Sequence, residues 1–446
     1  MNNISVYFFR VLGYNLNMND IRSEKSVTDC YTVAALLYVS AVFALHPLIM
    51  HNGYFDITEA KAAFYTGITA TYILSLVMLA VCGERIHFSK PGKAVTCLWI
   101  YFAVYTVSSL AFGNGREVFI AADNRYQGIG MTLLYALSVY LISNSCIWKD
   151  SRSGSVFYYA AAALLVNGIF GIMNYHGIDL FGLYRHMSVF ESRKFFSGIG
   201  NVDFISAYFS LFIPALVFIT ASKFKELKRW EKTLYIAACI AGIAALPTAS
   251  SSVYIGLGSS AILFPLLSVK LKTGRCPRIY TVILVILLIV FLAAFVLFNT
   301  AYREAGGIAG KYLVIDSDWG SDRGKIWAHV FNMFREFTPL RKLIGGGSGC
   351  IAAYDKDLRI FPDAILDSAH NEYLNILVNS GILGLTACFG FLIFSILNAL
   401  KSQNAYKYAL LLGVLSYMAQ AAVNIAQPMT TPLFVTAAAL IAAEDH

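Results

Sequence analysis

The chain has 446 residues, 58% hydrophobic and 13% charged, with a mean hydropathy of +0.62 and a formal net charge of +8. Soluble domains carry about 25% charged residues, so a water-soluble globular fold is excluded. The excess of Lys and Arg falls mostly in short loops between apolar runs, which reads as a topology signal and not as nucleic-acid binding.

The first 30 residues are polar, and no small-residue cleavage site follows them, so no removable signal peptide is expected. Apolar runs then recur at 31–50, 62–82, 94–112, 128–147, 155–173, 204–221, 232–248, 251–269, 279–298, 372–400, 408–425 and 430–444. Each is close to the length that crosses a bilayer as a helix, the one open structure that satisfies its own backbone in lipid. The expected fold is an all-α polytopic membrane protein of about twelve transmembrane helices, with both termini on one side. Residues 1–298 hold helices one to nine, 299–371 a large, partly helical extracytoplasmic loop, and 372–446 the last three helices.

With the N-terminus inside, the inner segments hold Arg10, Arg22 and Lys25; Arg85, Lys90 and Lys93; Lys149 and Arg152; Lys223, Lys225, Lys228, Arg229 and Lys232; Lys270, Lys272, Arg275 and Arg278; and Lys401 and Lys407. Every short inner loop is then basic, as the positive-inside rule requires. Of the eight cysteines only Cys350 lies clearly outside, so no external disulfide is expected, and none forms a C-x-x-C pair.

Cations in the outer segments are not explained by topology. Loop 113–127 carries Arg116 and Arg125, and loop 174–203 carries Arg185, Arg193 and Lys194. Arg116, beside Glu117, reads as an ordinary loop charge; Arg125, after Asp123, is open between local pairing and substrate contact. Arg193-Lys194, with only Glu191 nearby and close to a helix start, favours a phosphate site, as Arg185 does more weakly.

In the long loop Ser321 is expected to cap a helix with Asp322 in its first turn. Ile326, Trp327, Val330, Phe331 and Phe334 follow at helical spacing, and Arg323 shares their buried-facing side, either paired with a carboxylate or aimed into a cavity. Gly345-Gly346-Gly347-Ser348-Gly349 reads as a tight turn before a phosphate cradle. Asp316-Ser317-Asp318 reads as loop in preference to a metal-holding D-x-D pair, and Asp355-Lys356-Asp357 as a solvated face. Ser368 is expected to cap a helix beginning at Ala369, so that the dipole keeps His370 in its first turn neutral and able to accept a proton. His46, His51, His176 and His186 have no comparable setting.

Ser321-Asp322-Arg323-Gly324-Lys325-Ile326-Trp327, then Ile344 to Gly349, then His370-Asn371-Glu372-Tyr373-Leu374 with Gly381-Ile382-Leu383-Gly384-Leu385, together resemble the O-antigen ligase and polymerase superfamily with its Wzy-C type domain. Asn124 to Gly128 and Ser197 to Asn201 are similar to its upstream external motifs, and the specific resemblance covers about 195–390. It implies a GT-C type glycosyltransferase that takes a glycan from undecaprenyl diphosphate on the outer side of the bacterial cytoplasmic membrane, without nucleotide, cofactor or required metal. Carried over by motif, His370 is the general base and Arg323 binds the diphosphate. Arg193 stands for the upstream cation, with Arg185 or Lys194 as alternatives; Asn371 and Tyr373 belong to the histidine motif. Asp203 stands where members often have Asn, and Asn379 where they often have Glu.

The expected reaction is a direct, inverting displacement in which cations stabilise the departing diphosphate and His370 deprotonates an acceptor hydroxyl on glycan, lipid or protein. The diphosphate would meet Arg323, Arg193 and Arg125, while Trp327, Tyr373 and Tyr184 either stack on sugars or pack. The motifs do not separate ligase from polymerase. The alternative, a transporter or flippase of lipid-linked glycan, predicts charges within helices and matched halves, whereas the apolar runs contain almost no internal charge and the halves are unlike.

Overall fold

The computed structural model describes residues 24–444 apart from 84, 85, 87, 114, 122–124, 189–191, 273–277, 301–313, 315, 318 and 363. Arg10, Arg22, Arg85, Asp123, Asn124, Glu191, Arg275 and Asp318, named above, lie outside the described residues.

A helix stands over each predicted apolar run. In chain order these are α1 (Glu24–Ala44), α2 (Ile57–Val81), α3 (Lys93–Phe112), α4 (Ile129–Asn144), α5 (Ser155–Tyr175), α6 (Val202–Ser222), α7 (Arg229–Ala244), α8 (Ser252–Lys270) and α9 (Arg278–Thr300). The loop region adds α10 (Trp319–Glu336), α11 (Pro339–Ile344) and α12 (Cys350–Asp357); α13 (Glu372–Lys401), α14 (Ala405–Ala421) and α15 (Thr431–Ala442) close the chain. Among the described residues, seven helical stretches are long and apolar enough to cross a membrane. The others include α15, whose 12 residues rise only about 18 Å. The molecule is a mostly helical, multi-pass membrane protein.

α6 is the central helix: 83% of its apolar window is buried, and it packs most extensively on α14, as α3 does on α13. Its start is fixed by a two-stranded hairpin, β1 (Phe195–Phe196) and β2 (Gly200–Asn201). Asn174 and Asn167 of α5 accept from Ser197 N (2.9 Å) and Gly198 N (2.8 Å), and Tyr54 donates to the Ser197 carbonyl (2.9 Å). Asn201 then caps α6 by accepting from Asp203 N at 2.9 Å.

Two lysines are buried one residue before an expected apolar run. Lys407, expected in an inner loop, is buried within α14 and donates to the Ala443 carbonyl. Lys61, one residue before the expected second run, is fully buried within α2 and donates to the His46 carbonyl at 2.7 Å. The hydropathy window missed it because it sits in the first turns of an otherwise apolar helix.

The expected single span 372–400 is two pieces. Gly381 interrupts α13 with φ 66° and ψ −171°. Along a straight helix Tyr373 and Phe389 would stand about 24 Å apart, yet their rings stack with centroids 5.3 Å apart. The chain therefore folds back at Gly381, leaving 372–380 as a short arm. The amides of Gly346 and Gly347 cap that arm by donating to the carbonyls of Val378 (2.8 Å) and Asn379 (3.1 Å), groups the break leaves without a helical partner. The glycine run is thus a turn that clamps the arm. A Cβ on Gly381 would lie 2.3 Å from the Leu343 carbonyl oxygen. Gly381→Ala is expected to lower the melting temperature of the detergent-purified protein by several degrees and to reduce activity in parallel; an unchanged melt would mean that the arm is not clamped.

The loop has its own small core, in which Ile326, Val330, Met333, Ile351, Leu366, Ala369 and Val378 are buried. Phe331, expected on that face, is 52% exposed. Asp355 is no solvated residue: it is fully buried and accepts from Leu366 N (2.7 Å) and Ile360 N (3.3 Å), which ties down the strand of chain leading to His370. A short-range pattern cannot distinguish such an anchor from a surface acid.

Candidate active site

Four charged side chains act at His370: Asp367, three residues before it, and Arg125, Asp203 and Arg323 from three distant parts of the chain. Arg323 and Asp203 stand on one side, with Nη2 3.6 Å from Oδ1. Arg125 and Asp367 form a two-pronged pair at 2.6 and 2.7 Å. All four act on the imidazole electrostatically.

Local chemistry sets these positions. α10 does not start with a Ser321 cap: Gly320, Ser321 and Asp322 all have positive φ, near 63°, 62° and 65°. Such a left-handed run is costly for Ser and Asp, and it delivers Arg323 at the first regular turn. The Arg323 guanidinium donates from Nε to the Val423 carbonyl (3.0 Å) and from Nη1 to the Gly320 carbonyl. It is thus held by backbone and shares its charge with one carboxylate.

His370 is not in a helix. The helix begins at Glu372, and Asn371 is its cap, accepting from Leu374 N at 3.1 Å. Ser368 instead accepts from His370 N (3.2 Å) and from the Asn375 side chain (3.1 Å). His370 has φ 47°, a turn conformation held by Leu366 and Ala369, which bury themselves in the loop core. Asn is as good a cap as Ser, so Asn371 followed by acidic Glu372 was a readable signal for the later start.

The neutral imidazole was expected, but for a different cause. Burial first, then the Arg323 guanidinium, hold His370 below its ordinary value of 6.5; Asp203 opposes this, Arg125 reinforces it and Asp367 opposes it. Among the described residues none hydrogen-bonds the imidazole ring.

The other candidates separate. Arg125 resolves toward pairing, with a partner 242 residues away. Arg193 and Lys194 are exposed at the base of the hairpin, where the Lys194 carbonyl accepts from Val202 N (2.9 Å), one residue before Asp203. Arg185 is exposed farther back in that loop. These three are not among the charges that act on His370. Asn371 is engaged as a cap, and Tyr373 donates to the Met418 carbonyl at 2.6 Å. Tyr184 donates to Phe195 O (2.7 Å) and packs on Tyr54, while Trp327 packs on Trp319, so all three aromatics have packing roles. Asp203 and Asp367 were not singled out as site residues; their significance is their long-range partners.

The Arg125–Asp367 clamp is mostly buried, with side chains 28% and 10% exposed. Arg125→Ala and Asp367→Ala are each expected to destabilise the loop, and the double variant to lose less than the sum, with a coupling of about 1–3 kcal/mol. A double-mutant cycle on thermal or denaturant unfolding measures it; strict additivity would remove the clamp.

No curated protein matches the chain. Residues 236–389 match the family model described as O-antigen ligase, Wzy_C. The match takes in Arg323, the glycine run and His370, and leaves Arg125, the 195–201 hairpin and Asp203 upstream. With these motifs on a many-helix membrane scaffold, the chain carries a region that matches the O-antigen ligase (Wzy_C) family.

Proposed function

We propose that this protein moves a glycan from an undecaprenyl-diphosphate carrier to an acceptor hydroxyl, with inversion and without nucleotide or metal, on the outer face of a bacterial cytoplasmic membrane. The observation that carries the reading is the setting of His370: a half-buried imidazole biased to its neutral form, beside a backbone-held Arg323. The Lys and Arg of the short loops at the opposite ends of the helices support the outward orientation.

In this reading the acceptor hydroxyl gives its proton to His370 as its oxygen attacks the anomeric carbon. The bond from that carbon to the phosphate oxygen breaks, and its electron pair leaves with the diphosphate. Arg323 meets the charge that grows there, and its fixed orientation means that little reorganisation is needed. Asp203 tempers the cation in the resting site; the incoming diphosphate competes with it. Arg125 shapes the site through Asp367, and Arg193, Lys194 and Arg185 offer a basic approach at the rim. Ligase and polymerase differ only in the acceptor, and both fit this chemistry.

The test is purified protein with a defined undecaprenyl-diphosphate oligosaccharide and candidate acceptors. The expected result is a new glycosidic bond with release of undecaprenyl diphosphate. Passage of intact donor across a vesicle with no bond made would favour the transporter instead.

A further inference from the structure

At the helix ends remote from His370 lies a cavity of about 1060 Å³, between the first turns of α1 and α3 and the last turns of α4, α13 and α15. α3 spans the distance between the two. Near its far end Ser108 donates to the Asn379 carbonyl of the arm at 3.1 Å, and its 20 residues rise about 30 Å to Lys93 in the cavity wall. The walls are tied together. Ser89 N donates to the Asn144 side chain at 2.9 Å, joining the loop before α3 to the end of α4. Asn398 donates to the Ala442 carbonyl at 2.7 Å, joining α13 to α15.

The lining is basic. Lys90, Lys93 and Lys401 are exposed in it, against one described carboxylate, Glu444. Among the described residues none of the three lysines forms an ion pair. α3 begins here at Gly92 with no side-chain cap and no acid in its first turn, so the positive end of its dipole adds to the lysines. Glu444 lies close to that start and offsets part of the charge. Apolar surface leads away from the lysines. On α3, Ile100 and Val107, 48% and 56% exposed, follow Lys93 at seven-residue steps. On α13, Ile393 and Leu397, 51% and 46% exposed, lead to Lys401 at four-residue steps. Both steps keep side chains on one helix face, so each lysine heads an exposed apolar stripe on a helix fit to span a membrane.

We propose that this cavity binds one anionic glycerophospholipid of the leaflet remote from His370. Its phosphodiester sits among Lys90, Lys93 and Lys401, and its acyl chains lie along the stripes of α3 and α13. The inference is independent of the transfer reading. Three arguments select this occupant. A basic pocket between membrane helices favours an anionic head group. The volume is at the upper end of the roughly 300–1,000 Å³ of small-molecule sites, so a phosphate alone would leave most of it empty. The stripes offer hydrocarbon chains a bed that begins where the head group ends, which a soluble anion would not use. Lysines at span ends commonly snorkel to the interface singly; here three converge on one cavity with tied walls.

The experiment measures lipid retention by native mass spectrometry, and melting temperature, for the detergent-purified full chain with phosphatidylglycerol, phosphatidylcholine or inorganic phosphate added. The variants are Lys90→Gln, Lys93→Gln and Lys401→Gln, singly and together. The control is Lys225→Gln/Arg229→Gln/Lys270→Gln, basic residues of the same side outside the cavity lining. In wild type phosphatidylglycerol should be retained and should raise the melting temperature, and phosphatidylcholine and inorganic phosphate should do neither. Each single variant should weaken phosphatidylglycerol binding about fivefold, the equivalent of about 1 kcal/mol per charge, the triple variant about two orders of magnitude, and the control less than about twofold. Equal retention of phosphatidylcholine overturns the site, as does an equal loss in control and triple variant. A melting shift with inorganic phosphate as large as with phosphatidylglycerol also overturns it, in favour of a soluble anion. Should the triple variant fail to fold by its melting curve, the single variant Lys401→Gln decides.

Discussion

His370→Ala is expected to slow glycan transfer by about two to four orders of magnitude, the usual contribution of a positioned general base. Donor binding should change little, because the diphosphate contacts belong to arginine. The pH dependence carries a sign. A base works unprotonated, and burial together with Arg323 holds His370 below its ordinary 6.5. The rate should therefore be flat through neutrality and fall only as the pH drops through an inflection below that value. An acid limb centred above 6.5, or one that persists in His370→Ala, would assign the titration to another group. Initial rates of product formation across pH, with melting temperature measured in the same buffers, make the test.

Arg323→Ala should lower kcat by about two to three orders of magnitude, as for loss of one preorganised group facing developing charge. Arg323→Lys should recover part of this, since it restores a charge but not the fork that bonds Val423, Gly320 and Asp203 together. The same variant tests the electrostatics of the site. Removing the cation that depresses His370 should move the acid limb upward in residual activity, whereas Asp203→Asn should move it downward. Single-turnover release of undecaprenyl diphosphate separates these chemical effects from changes in binding. If Arg323→Ala turned over at the wild-type rate, no arrangement of the remaining charges would rescue the proposed mechanism.

The helices were legible because hydropathy is local: each apolar run must satisfy its own backbone within lipid, and helices formed over all twelve. Arg323 and Arg125 were candidates because cations on outer segments without a topological reason need partners, and His370 because it was expected in the first turn of a helix after the long loop. What could not be read were pairings made by folding. Arg125 finds Asp367 across 242 residues, and Arg323 finds Asp203 from another helix. The break at Gly381 was hidden because glycine in an apolar run looks like any small membrane residue. Asp355 was misjudged because its partners, the amides of Ile360 and Leu366 and the His329 ring at 3.2 Å, are brought to it by folding. The start of α13 was misplaced because Ser368 and Asn371 are both good caps, and only the burial of Ala369 in the loop core selects the later one.

The fold-back at Gly381 makes one tyrosine a three-way joint. Tyr373 of the arm stacks on Phe389 in the spanning part of α13 and donates to Met418 of α14, while the far end of the arm is held by the glycine turn. The turn that carries His370 is therefore referenced to two helices and to the loop core at once, so a change in the packing of α13 against α14 is passed directly to the imidazole.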